Sequence, residues 1–306
     1  MLLFRLSPAT VAFLLSLTTL DSLRADPLDN WTVRWTNSTE SLNEIAYGKG
    51  IFVAVGWHGL ILSSPDAKVW TPRSSGVTDD LHHVTFARDK FYAFTWGNFL
   101  TSSPDGVSWT AMNTYAAGLG SLRTMLWTND LLITGGQLDT YGFTILTSPD
   151  AISWTRRFST PSPYILDAAF GGGMYVAVGA ANIIVSPDGI NWTNIVLPYF
   201  YGSVYRIAYG NHTFAAVGDI SGPGVIITST NGWDWTERHP GYSWISEAAF
   251  GNGTFLLLGN AGQIETSQDA ITWTPRNSGT TTAALFGRRC LRSGYFRGSW
   301  RSRRLA

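Results

Sequence analysis

The chain is 306 residues long, 44% hydrophobic and 14% charged, with 32 glycines, 14 tryptophans, 12 tyrosines, 16 phenylalanines and one cysteine. Glycine and aromatics in that proportion suit many short strands joined by tight turns, and a lone cysteine (Cys290) excludes an intramolecular disulfide. The formal charge of zero is a composite: residues 26–287 hold 12 basic and 20 acidic side chains and residues 288–306 hold seven arginines and no acid, so an acidic body argues against nucleic acid as a partner.

The first 25 residues read as a secretory signal. Arg5 supplies the positive start, residues 9–20 form an uncharged apolar stretch, and Ala25 offers a small residue before a cleavage point at Asp26. Twelve residues fall short of the roughly 20 needed to span a bilayer, so cleavage is expected, with no integral membrane segment afterwards. The mature protein is expected to be secreted, periplasmic or on the cell surface.

From Trp35 onward, tryptophans recur at Trp70, Trp109, Trp154, Trp192, Trp235 and Trp273, with spacings of 35, 39, 45, 38, 43 and 38 residues. A period near forty is the mark of a repeat architecture whose units bury apolar surface only by stacking on one another. After each tryptophan come a polar connector and three apolar runs in fixed order. In the first unit these are Ile45-Ala46-Tyr47-Gly48, Phe52-Val53-Ala54-Val55-Gly56 and Leu60-Ile61-Leu62-Ser63. Lys49-Gly50, Asn211-His212 and Asn252-Gly253 are residue pairs that accept positive φ in two-residue hairpin loops. A fourth strand carries the tryptophan. Short runs bounded by Gly and Asn, with no helical spacing, predict an all-β fold of four-stranded antiparallel blades.

Six complete sets of the first three strands begin near Leu42, Leu81, Leu122, Ile165, Val204 and Ile245. Trp35 adds a seventh tryptophan strand at the N-terminus, and residues 285–287 open another unit at the C-terminus. Joining the two ends predicts a seven-bladed β-propeller over residues 26–287, its last blade incomplete. Residues 288–306 form a basic tail. One choice of codons for residues 288–300, shifted by one base, encodes Val-Ala-Ala-Tyr-Gly-Ala-Gly-Thr-Phe-Val-Ala-Ala-Gly, an inner hairpin of the repeat type. The tail is therefore expected to be a frameshifted start of that blade.

The six loops 64–70, 103–109, 148–154, 186–192, 229–235 and 267–273 are variants of Ser-Pro-Asp-Gly-x-x-Trp, with Asp66, Asp105, Asp150, Asp188 and Asp269 in the third position and Asn231 in the fifth loop. A short acceptor side chain there takes hydrogen bonds from nearby backbone N–H groups. These loops resemble the Asp box of bacterial neuraminidase repeats, found in sialidase-like and photosystem-assembly propellers, with the tryptophan one residue closer to the serine than in the usual box. The resemblance implies that the boxes are structural and lie opposite the functional face, with each tryptophan packed between blades. One carboxylate per loop does not supply the six to eight oxygens of a Ca²⁺ site, and neither metal nor cofactor is expected.

Function then falls to the other face, formed by the interblade connectors and the loops between second and third strands. Those segments carry Tyr115, Tyr164, Tyr199, Phe200, Tyr201, Tyr242 and Trp244, with Trp57, His58, Trp96 and Asn98 nearby. Aromatic platforms of this kind suit sugar rings and protein hot spots alike, or simply cap the blade tops. One polar position precedes each innermost strand: Glu44, His83, Thr124, Asp167, Arg206 and Glu247. The repeat register places these six around the mouth of the central channel, where they either perform acid–base chemistry or are merely wetted. The three arginines, Tyr–Glu pair and Phe/Tyr-Arg-Ile-Pro signature of a sialidase are missing. Gly171-Gly172-Gly173 lacks the helix that phosphate binding needs. The expectation is a monomeric, non-catalytic propeller binding a glycan or protein ligand through Glu44, His83, Asp167, Arg206, Glu247, Trp57, Trp96, Tyr201 and Trp244. The alternative is a sialidase-like glycoside hydrolase or lyase using the ring carboxylates.

Overall fold

The computed structural model describes residues 40–114, 119–128, 131–139, 142–160, 165–180, 182–195, 202–219, 224–238, 245–259 and 263–277. They form six four-stranded antiparallel sheets, each a simple meander in chain order. The blades cover residues 42–73, 81–113, 121–160, 165–195, 204–238 and 245–276. Their innermost strands (Leu42–Gly48, Leu81–Ala87, Ser121–Thr128, Ile165–Gly171, Val204–Gly210 and Ile245–Gly251) pack on one another in sequence from the first blade to the sixth. Over the described residues the protein is an all-β propeller of six blades, which corrects the expectation of seven. The seventh is expected from Trp35 and residues 285–287, which lie outside the described residues, whereas the described residues pair into six complete sheets. The expected leader and the basic tail with the expected frameshift also lie outside the described residues.

Hairpin chemistry follows the sequence closely. Lys49 and Gly50, Arg88 and Asp89, Gly172 and Gly173, Asn211 and His212, and Asn252 and Gly253 all have positive φ, the backbone that two-residue loops need to match strand twist. The second strands read as unbroken apolar runs because both of their faces are covered by neighbouring blades. In the fourth blade, Tyr175 and Ala177 face the third blade while Val176 and Val178 face the fifth.

Five buried clusters join consecutive blades, and each receives the tryptophan of the later blade: Trp109, Trp154, Trp192, Trp235 and Trp273. The expected interblade role of these side chains is therefore seen directly, although each ring is partly rather than fully buried. A second device recurs at the end of the innermost strand. An added Cβ at Gly48 would stand 2.2 Å from the ring of Phe86, at Gly171 2.0 Å from Tyr209 and at Gly210 2.1 Å from Phe250. Glycine there lets the next blade's aromatic ring lie on bare backbone.

The six box turns, four Ser-Pro-Asp, one Ser-Thr-Asn and one Ser-Gln-Asp, share one hydrogen-bond pattern. In the fourth blade Asp188 Oδ1 accepts from the backbone N–H groups of Ile190 and Asn191, both at 2.8 Å, and from the Ser186 hydroxyl at 2.9 Å. Asn231 makes the equivalent contacts through its amide oxygen. Donation to the charged form lowers the pKa of every box aspartate. Asp150 is brought down to about 2 by the backbone N–H groups of Ser153 and Ile152. Asp269 reaches about 2 through Thr272 and Ile271. The aspartates are thus turn-formers.

Candidate functional site

Each innermost strand slips register once against its neighbour, with Asn43, His82, Arg123, Leu166, Tyr205 and Ser246 as the extra residues of the bulges. A bulge re-aims the side chains around it. The residue after each bulge is the polar ring position read from the sequence: Glu44, His83, Thr124, Asp167, Arg206 or Glu247.

These ring positions are neither wet nor available in the way the sequence suggested. Glu44, Asp167, Arg206 and Glu247 are only 4%, 2%, 3% and 1% exposed. The innermost strand is an edge strand, so part of its backbone N–H row has no ladder partner. The carboxylates of neighbouring blades fill that role. Glu44 Oε2 accepts from the Val84 N–H of the second blade at 2.9 Å and meets His83 Nδ1 at 2.9 Å. Asp167 Oδ2 accepts from the Ile207 N–H of the fifth blade at 3.1 Å, and its Oδ1 accepts from Ala168 N–H at 2.9 Å. Glu247 of the sixth blade receives Arg206 Nε at 3.1 Å on Oε1 and 3.3 Å on Oε2.

What opens at the centre is a small, solvent-open cleft lined by His83, Trp96, Arg123, Leu166 and Arg206, drawn from the second, third, fourth and fifth blades. Trp96 forms one wall. His82 stacks on its ring at 3.8 Å with an 11° tilt, and the Arg123 guanidinium lies 4.9 Å from its centroid, a cation–π contact. His83 stacks on Phe94 at 4.9 Å. Arg206 Nη1 donates to the Tyr205 carbonyl, Nε to Glu247, and Nη2 is buried without a hydrogen-bond partner among the described residues.

Of the nine side chains singled out from sequence, the cleft gathers His83, Trp96 and Arg206. Glu44, Asp167 and Glu247 stand behind its walls as interblade ties. Trp57 sits apart in a short 3-10 turn (Trp57–Gly59) whose His58 backbone N–H is received by Asp80. Tyr201 and Trp244 lie outside the described residues, as do Tyr115, Tyr164, Tyr199, Phe200 and Tyr242. Arg123 was missed. It is the extra residue of the third blade's bulge, and a bulge shows in a sequence only as a polar pair ahead of an apolar run (His82-His83, Arg123-Thr124). The opposite face carries one exposed apolar side chain per box turn: Val69, Val107, Ile152, Ile190, Trp233 and Ile271. They stand singly, one to a blade.

No protein-family model matches the chain, and no curated protein is significantly similar to it. Solved structures show the same fold at low identity. YCF48 bound to D1 peptide is 16% identical with a TM-score of 0.62, over 78% of this chain and 83% of that one. A catalytically inactive virginiamycin B lyase from Staphylococcus aureus with quinupristin is 12% identical with a TM-score of 0.69, over 83% and 89%. An ancestral GH74 enzyme is 12% identical with a TM-score of 0.60, over 77% of this chain and 38% of that one. At these identities the likeness is one of fold: the chain is built as a β-propeller, a scaffold that serves peptide binding in one neighbour and catalysis in others.

Proposed function

We propose that this chain is an exported, monomeric, non-catalytic propeller, a distant relative of the Asp-box proteins, that presents its channel mouth to a peptide segment of a protein partner. One observation carries this: the three ring carboxylates are buried and engaged in holding blades together, so the groups left to face the cleft are two arginines, a histidine, a tryptophan and a leucine. General acid–base hydrolysis needs carboxyl groups that reach the substrate. A cleft of cations and an aromatic wall suits recognition instead. The peptide-bound YCF48 neighbour is an instance of this fold holding a peptide.

The test is a peptide array and a glycan array read with the same protein, beside a panel of chromogenic glycosides. Peptide binding that weakens in Trp96→Ala, without turnover on any glycoside, is expected. Turnover abolished by Glu44→Gln, Asp167→Asn or Glu247→Gln would overturn the proposal in favour of an enzyme.

A further inference from the structure

Arg206 is the most confined cation of the molecule's centre, and its guanidinium is only partly used. Nε is spent on Glu247 and Nη1 on the Tyr205 carbonyl, while Nη2 has no partner among the described residues although the side chain is 3% exposed. A buried N–H of a charged group without an acceptor is costly, and such vacancies mark places where a ligand atom belongs. Arg206 and Arg123 line the same cleft, with Trp96 between the second and third blades as its aromatic wall. The carboxylates of Glu44, Asp167 and Glu247 do not line it. Each is already matched to a backbone N–H or to the Nε edge of Arg206, so they neutralise the wall from behind without occupying the acceptor position. The cleft is open to solvent and its enclosed part is only about water-sized, so it takes the tip of one polar group and not a sugar chain or folded element.

We propose that this cleft is the anchor pocket of the peptide site, taking one carboxylate of an acidic peptide, whose oxygens accept from Arg206 Nη2 and from the Arg123 guanidinium while its carbon stem passes beside Trp96. This rests on the peptide-binding reading above and specifies its chemistry. The planar, two-oxygen acceptor complements guanidinium donors, and the burial of Arg206 makes each charge-assisted bond stronger than one at the surface.

The experiment is a titration of protein carrying ¹⁵N-arginine with two capped peptides, Ac-Ala-Glu-Ala-NH2 and its Gln twin, followed through the arginine Nε–H signals, with free Ala-Ala-Ala as a third arm for a chain-terminal carboxylate. Shifts at Arg206 and Arg123 are expected, with about tenfold or greater preference for a carboxylate peptide over the Gln twin, the equivalent of one charged hydrogen bond. The Glu peptide and the free terminus distinguish a side-chain source from a terminal one. Arg123→Gln should remove most of that preference. Arg206→Met combined with Glu247→Leu replaces the buried pair by apolar side chains of similar size, so it keeps the fold and should also remove it. Equal affinity for the Glu and Gln peptides, or a preference that survives in the folded double variant, overturns the carboxylate pocket while leaving peptide binding intact. No binding on the peptide array, with or without binding on the glycan array, overturns both.

Discussion

Asp167 accepts a hydrogen bond from the backbone N–H of Ile207, forty residues further on and one blade away, at 3.1 Å. Glu44 makes the same forty-residue step to Val84 at 2.9 Å. A repeat position that looks chemical in sequence is thereby used as mortar: the carboxylate of one blade satisfies the free edge of the next. The channel is walled by these ties, and the cleft above them inherits the cations.

The Arg206–Glu247 pair joins the fifth and sixth blades in a setting almost closed to water. Removing one partner leaves an uncompensated buried charge. Glu247→Met is expected to lower the unfolding free energy by about 3–5 kcal/mol, whereas Arg206→Met with Glu247→Leu should recover most of that loss. Urea unfolding of the two variants checks it.

The bare backbone under the interblade aromatics gives a second test. Gly171→Ala and Gly210→Ala drive a methyl into Tyr209 and Phe250, so each is expected to cost about 1–3 kcal/mol through overpacking. At Gly251 nothing among the described residues lies within 4 Å of the added carbon, and Gly251→Ala should be tolerated. Thermal melts of the three variants separate close approach from a general cost of losing glycine.

The box aspartates make a pH-dependent contribution of known sign. Their carboxyls are held below the ordinary value of 3.8 by backbone donors, to about 2 for Asp150 and Asp269. A depressed folded-state value contributes stability that is fully present above about pH 4 and lost as pH falls towards about 2. Asp150→Ala should therefore lower Tm at pH 7, and the gap from the parent protein should close across that window. Asn231→Ala removes the same acceptor without a titrating group, so its Tm gap should not change with pH.

Glu265 is buried at 3% exposure, on the third strand of the sixth blade, and its Oε2 has no hydrogen-bond partner among the described residues. The corresponding residues of the first, third, fourth and fifth blades are Leu62, Leu146, Ile184 and Ile227. Glu265→Leu removes an unmatched acceptor and restores apolar packing, and is expected to stabilise the protein by about 1–3 kcal/mol, read by urea unfolding.

Much of the scaffold was legible in the residues. Hairpin pairs such as Asn252-Gly253 announce positive φ, the Ser-Pro-Asp turns announce their own hydrogen bonds, and tryptophan spacing announces stacked blades. The blade number was not: repeat signals at Trp35 and residues 285–287 raise the expectation to seven, whereas the described residues pair into six sheets. Within the site, His83, Trp96 and Arg206 could be picked out by register. The burial of Glu44 and Asp167 could not, since their partners are backbone N–H groups, which leave no trace in a side-chain pattern. Arg123 was hidden by a bulge, a shift of one residue that periodicity does not register.

Whether the ring carboxylates are structural ties can be measured without knowing any ligand. Glu44→Met and Asp167→Leu each strand a buried backbone N–H, that of Val84 or Ile207, and should lower the unfolding free energy in urea by about 1–3 kcal/mol with an unchanged β-type circular dichroism spectrum. Residues kept for chemistry behave in the opposite way, since active sites are held at a cost to stability and their removal commonly raises it. Variants as stable as the parent protein, or more stable, would contradict the structural role and return these carboxylates to catalysis.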